Sequence, residues 1–233
     1  MKRIVVVVAM DKELATLKNY LTNVKKCQIR NRDVYFGDLY GHEMIIAKTG
    51  IGKVAASSFL TLLIERYNPD VVLNIGIAGA YSKTLRTQDT LVVTKAYYSD
   101  VDMTGDEFSD LKYGQLEEMP ECFECNNSLV LKAKEILQGE AHYGSIATGD
   151  QFVTNYDKCS SIVETHFHAA DILAFDMESA AFLHVCYLYN IPCLVIRTIS
   201  DIIGSTSPLD YAHFSTLASY KVGMVCRKLI EKL

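Results

Sequence analysis

Short, almost wholly apolar runs alternate along this chain with longer segments of helical periodicity. Residues 4–10, 44–49, 71–77, 90–96, 172–175 and 193–199 carry β-branched and other apolar side chains with little interruption, the pattern of strands covered on both faces. Residues 34–40 are more mixed. With Gly41-His42 behind them they predict a hairpin leading into 44–49. A further strand is expected over 142–148. Helical segments fall between the strands: 11–21, with Leu14, Leu17 and Leu21 at helical spacing, then 54–66, 127–138, 156–168, 176–190 and 208–232. Pro192 separates the fifth helix from the strand that follows. This alternation predicts an α/β fold, a three-layer α/β/α sandwich around a central mixed β-sheet. Residues 99–126 form the longest irregular stretch, and so long a stretch in a compact domain usually serves as a lid or an oligomer contact.

Composition narrows the picture. A chain of 233 residues is long enough for a well-buried core, and one domain over 1–233 is the simplest organisation. A formal net charge of −5 and the absence of a basic run argue against nucleic acid and anionic membrane as partners. The apolar run at residues 4–8 is too short to span a bilayer, lacks the features of a signal peptide and reads as a buried strand. The seven cysteines are odd in number and scattered, and Cys186 and Cys193 sit in apolar stretches. Reduced thiols in a cytoplasmic protein are the expectation. Cys122 and Cys125 have Cys-x-x-Cys spacing, but no second pair or suitably spaced histidine completes a zinc site, so no metal is expected.

Candidate chemistry lies in acids at the ends of predicted strands. Asp176-Met177-Glu178 would open a helix, and Asp201 would sit just past the strand 193–199, where it could equally serve as a cap. Glu13 follows the first strand in the same way. If these carboxylates converge beside apolar walls, they suit acid–base work on a small polyol-bearing substrate. Gly50-Ile51-Gly52-Lys53 is not a Walker A loop, because Ala47 and Val54 occupy positions that require Gly and Ser or Thr. It is either a turn for tight helix packing or a cleft wall. Asn74 to Ala80 ends a strand in small residues, which permits close approach of a ligand or simply a sharp turn. Phe152 is either a core ring or a stacking platform.

Taken in order, Ala9-Met10-Asp11-Lys12-Glu13, Thr49 to Lys53, Asn74 to Gly79, Tyr113-Gly114-Gln115, Thr148 to Phe152, Asp176-Met177-Glu178 and Arg197 to Asp201 span essentially the whole chain. Together they resemble the bacterial 5′-methylthioadenosine/S-adenosylhomocysteine nucleosidases of the purine nucleoside phosphorylase superfamily. The resemblance implies a nucleoside phosphorylase-like fold, a homodimer, no cofactor, and hydrolysis of the bond between adenine and ribose in methionine salvage. By motif it implies that Glu13 activates water and Asp201 protonates adenine N7. Glu178 and the Met177 backbone would hold the ribose hydroxyls. Phe152 would stack on adenine, whose edge the Val153 backbone reads. Ile77, Ala78, Gly79 and Ser200 complete the implied substrate site. Met10, Ile51 and Tyr211 would line the alkylthio pocket, and Met103 would reach the partner subunit's site.

The chain also departs from that pattern. Ile77 stands where family members carry Ser, Asp176 where Glu is usual, and Tyr211 where Phe is usual; the loop before Tyr113 is longer. The implied substrates are methylthioadenosine, S-adenosylhomocysteine and 5′-deoxyadenosine, unranked. A purine nucleoside phosphorylase, an aminodeoxyfutalosine nucleosidase and a non-catalytic nucleoside-binding protein are the alternatives.

Overall fold

The computed structural model describes residues 1–108, 110–205 and 208–233. β1 (Arg3–Val8) leads into α1 (Asp11–Lys18), followed by β2 (Thr22–Ile29), β3 (Arg32–Leu39) and β4 (His42–Lys48). α2 (Lys53–Tyr67) precedes β5 (Val71–Ala80) and β6 (Thr90–Tyr98). A short 3₁₀ turn (Asp106–Phe108) and the two-residue β7 (Phe123–Glu124) punctuate the irregular stretch. Then come α3 (Asn127–Leu137), β8 (Ala141–Thr148), α4 (Tyr156–His166), β9 (Ile172–Asp176), α5 (Ser179–Leu188), β10 (Cys193–Ile202) and α6 (Pro208–Ile230).

The predicted mixed sheet and its covering helices are present. Strand order is β10-β6-β8-β9-β5-β1-β4-β3-β2, with β7 on β6. β1 pairs in parallel with both β4 and β5, and every residue from Ile4 to Val8 is fully buried, as its all-apolar sequence requires. α1 packs with α6 and α2 with α5. A smaller apolar cluster, with Cys159 and Val163 of α4 against Tyr97, Ala147 and Phe175, lies beside the main core.

The sheet also turns back on itself. β10 pairs with β6 on one side and with β5 on the other, while β5 touches β9 only through Gly79–Phe175 and Ala80–Ala174. β10, β6, β8, β9 and β5 therefore form a closed ring of hydrogen-bonded strands, and its mouth lies where the C-terminal ends of β5, β9 and β10 converge.

Several boundaries differ from the sequence expectation. β2 was not foreseen: seven of its eight residues are exposed, so no hydrophobic alternation marks it. It is an edge strand carrying Lys25 and Lys26, a composition that discourages pairing with another chain. It joins β3 through Arg30-Asn31, and β3 joins β4 through Tyr40-Gly41. Both turn residues in each pair have positive φ (49° and 62°; 52° and 79°), the geometry whose twist matches two-residue hairpins. β5 runs three residues past its predicted end, because Ala78, Gly79 and Ala80 continue to pair with β10. β10 continues to Ile202, so Asp201 lies within a strand rather than beyond it as a cap. α5 begins at Ser179, leaving Asp176 as the last residue of β9 and Glu178 as the helix N-cap.

Leu73 is fully buried in β5. Leu73→Ala should lower unfolding free energy by about 2–5 kcal/mol, whereas Val24→Ala on exposed β2 should change it by no more than about 0.5 kcal/mol. Urea titrations read both, and equal effects would contradict this placement of the core.

Candidate active site

Glu13 sits in the first turn of α1, and its side chain folds back over the helix start. Its Oε2 accepts from the N–H groups of Ala9 (3.0 Å) and Met10 (2.9 Å), and its Oε1 from that of Ile77 (3.2 Å). The bond to Met10 is half of a capping box, so local helix chemistry and tertiary contact hold the same carboxylate. Gly76 makes this approach possible. A Cβ there would lie 3.1 Å from Arg197 Nη1 and 3.2 Å from Glu13 Oε1, between the two charges. Glu178, the N-cap of α5, accepts on Oε1 from Gly52 N–H at 3.0 Å. Asp201 accepts on Oδ1 from the Ser200 hydroxyl at 2.6 Å.

Asp201 reaches the cleft through a β-bulge. β10 pairs Ile199 with Ala78 and Asp201 with Gly79 of β5, which leaves Ser200 as the extra residue. Strand alternation would send neighbouring side chains to opposite faces, but the bulge brings both Ser200 and Asp201 to the cleft wall.

The cleft opens to solvent. Met10, Glu13, Ile51, Ile77, Ala78, Gly79, Phe152, Val153, Met177, Glu178, Ser200, Asp201 and Tyr211 all line it. Phe152 is 60% exposed, so it is a wall with a free face rather than a core ring, and it meets Tyr211 edge-on at 5.3 Å between ring centroids. Ile51 answers the question left by the Gly50 to Lys53 segment: this turn both starts a helix and walls the cleft. Met103 does not line the cleft of its own chain. Tyr113 is likewise absent from the wall. Its hydroxyl donates to Ser99 O, and its ring stacks on His166 at 3.9 Å.

A buried ion pair organises the site from below. Arg197 and Asp176 are paired at 2.7 Å, with side chains 1% and 2% exposed. Arg197 also donates to Asn74 Oδ1 (2.7 Å) and Ile196 O (3.2 Å). Asp176 accepts further from Thr148 Oγ1, Ser179 N–H and Ser179 Oγ. Asp176 is thus the guanidinium's partner rather than a freely solvated helix-start acid. The signal was present in the sequence, since Arg197 and Asn74 each interrupt an otherwise apolar strand and a buried charge requires a partner. Among the described residues, no group of three or more His, Cys, Asp or Glu is placed to hold a metal ion, and no helix is long and apolar enough to cross a membrane.

Burial pushes all three cleft carboxyls up. Glu178 is pushed up from its ordinary 4.5 to about 7; burial leads, Asp176 and Glu13 add to it, and Arg197 and the Gly52 N–H oppose it. For Glu13, burial is opposed by its three N–H donors and by Arg197. For Asp201 only the Ser200 hydroxyl opposes. The arrangement is an apolar-walled acid cluster in which one carboxyl is well solvated by protein donors and another is not.

A family profile described as the phosphorylase superfamily matches residues 3–231. The chain belongs to the phosphorylase superfamily. Within it, the chain groups with the 5′-methylthioadenosine/S-adenosylhomocysteine nucleosidases. It is 34% identical over 235 residues to the one from Psychromonas ingrahamii, covering 99% of each chain. The nucleosidase from S. pneumoniae, solved with the transition-state inhibitor MT-ImmA, superposes with a TM-score of 0.91 at 31% identity over 98% of both chains. The nucleosidase from Colwellia psychrerythraea, solved with adenine, gives 0.92 at 30% identity over 100% of this chain and 96% of that one.

The raised carboxyls have a stability consequence. Folded Glu178 keeps its proton up to about pH 7, whereas the unfolded residue loses it near its ordinary value of 4.5. Between those values the folded state binds more protons, so its stability falls as pH rises through the window. Relative to Glu178→Gln, the wild-type protein should lose stability from about pH 4.5 to about pH 7 in urea titrations; a difference independent of pH would contradict the burial described.

Removing one member of the buried pair exposes the other's need. Arg197→Met should cost about 3–5 kcal/mol, and adding Asp176→Asn should restore part of that loss. A double variant as unstable as the sum of the two singles would mean that the pair is not coupled.

Proposed function

We propose that this cleft hydrolyses the N-glycosidic bond of 5′-methylthioadenosine and S-adenosylhomocysteine, releasing adenine and the corresponding thioribose. The observation that carries the reading is the meeting of Glu13 and Asp201 in one apolar-walled cleft beside the open face of Phe152.

Adenine leaves poorly as an anion, so a proton must reach N7 as the bond breaks. Asp201, raised by burial and opposed only by Ser200, is suited to hold and deliver it. The sugar then gains oxocarbenium character. Glu13, whose charged form is supported by three N–H donors and by Arg197, stabilises that charge and accepts a proton from attacking water. Glu178 and the Met177 backbone receive the ribose hydroxyls, while Phe152 and the Val153 backbone receive the base. Met10, Ile51 and Tyr211 take the alkylthio group.

Electrostatics favour water over phosphate as the nucleophile. Phosphorolysis needs donors free to hold a dianion. Among the described residues lining the cleft, the one Arg or Lys is Arg197, and its guanidinium already serves Asp176, Asn74 and Ile196. Glu13, Glu178 and Asp201 would repel phosphate. The same reading makes the protein a cytoplasmic homodimer in which Met103, absent from its own chain's cleft wall, serves the partner's site.

Purified protein mixed with methylthioadenosine in phosphate-free buffer should release free adenine at a rate that added phosphate does not raise. Asp201→Asn should lower turnover about 10²–10⁴-fold while leaving the thermal unfolding transition in place. Formation of ribose 1-phosphate products, or near-native turnover in that variant, would overturn the mechanism.

A further inference from the structure

Helix α2 begins without a local cap. Gly52 at its N-cap has no side chain, and the first turn contains no acid. Two of the N–H groups exposed at such a helix start are instead taken by carboxylates from distant parts of the chain. Gly52 N–H donates to Glu178, and Lys53 N–H donates to Asp150 Oδ1 at 2.7 Å. A third acid closes the arrangement. Asp100 accepts from Lys53 Nζ on Oδ1 at 2.6 Å and from Asp150 N–H on Oδ2 at 2.8 Å. Lys53, Asp100 and Asp150 therefore form a closed ring of charge-assisted bonds joining three loops: the one before α2, the one after β6 and the one after β8.

The ring is built to close tolerance. The side chains of Lys53 and Asp100 are 21% and 17% exposed. A Cβ on Gly52 would lie 2.9 Å from Asp150 Oδ1, and one on Gly149 would lie 2.9 Å from Ser99 Oγ and 3.2 Å from Asp100 Cγ. Gly52 also has φ of 91°, which most side chains would resist. Asp100 itself is not part of the cleft wall, whereas Glu178 at one end of this chain of contacts and Gln151, Phe152 and Val153 just beyond Asp150 are.

We propose that Asp100 is a positioning residue: through Lys53 and Asp150 it fixes the start of α2, and with it the Gly52 N–H that aims Glu178 at the ribose. This rests on the nucleoside reading above. Glu178 is faced by Asp176, Glu13, Arg197 and the Gly52 amide, and Tyr211 also feels its charge. Of these, Gly52 is the donor whose place depends on Asp100. Loss of the ring displaces a directed donor whose bond favours the ionised form of Glu178 against burial.

The test compares two ligands in the turnover-blocked Asp201→Asn background, by calorimetry. Adding Asp100→Asn should weaken binding of 5′-methylthioadenosine about tenfold, the scale of one hydrogen bond to a charged group. It should leave affinity for the 2′,3′-dideoxy analogue nearly unchanged, because that ligand offers Glu178 nothing to hold. Lys53→Met breaks the ring from its other side and should reproduce the selective loss, with the pH dependence of ribonucleoside binding displaced to higher pH in both. Equal losses on the two ligands, no loss on either, or disagreement between the two variants would overturn the positioning role alone. Failure of the Asp201→Asn protein to bind either ligand would sink the nucleoside reading and this inference with it.

Discussion

A guanidinium sealed from water must be fully paired, and the floor of the cleft is arranged around that requirement. Arg197 meets Asp176, Asn74 and the Ile196 carbonyl, and Asp176 in turn takes donors from Thr148 and Ser179. These contacts tie β5, β8, β9, β10 and the start of α5 to one another. They fix the relative positions of the strand ends from which the cleft is built. The same cation lies close enough to Glu13 and Glu178 to temper the effect of their burial. Fold and electrostatics therefore depend on one buried charge and its partners.

The cleft accepts an arrangement that is unfavourable by itself. Placing Glu13, Glu178 and Asp201 near one another and away from bulk water raises each carboxyl above its ordinary range. Such strain is retained where it serves chemistry, because acid and base roles require carboxyls that differ in proton affinity. Here the carboxyls differ in the donors that face them. Glu13 has three backbone N–H groups and Asp201 has one hydroxyl. Glu178 borrows its donor from a helix start that is held by Lys53, Asp100 and Asp150.

Much of this was legible along the chain. Nearly all-apolar runs marked β1, β4, β5, β6, β9 and β10, because strands buried on both faces have room for few polar side chains. The residues to which the resemblance assigns a substrate or catalytic role, Met103 apart, line one cleft. β2 was invisible because an exposed edge strand has no buried face to create a pattern. The pairing of Arg197 with Asp176 was unreadable for a different reason: a polar residue within an apolar strand announces that it needs a partner without saying which one.

The sequence by itself determined the succession of strands and helices, and the residue types available for acid–base chemistry. Those properties follow from local periodicity and from functional groups that each residue carries alone. Tertiary pairing decided where the acids point. Ser200 and Asp201 are neighbours in one strand and should face opposite ways. They share a wall because β10 carries an extra residue against β5, so that Asp201 rather than Ser200 stands opposite Gly79. That two-against-one register exists only once both strands are aligned, which is why no reading of β10 alone could reveal it.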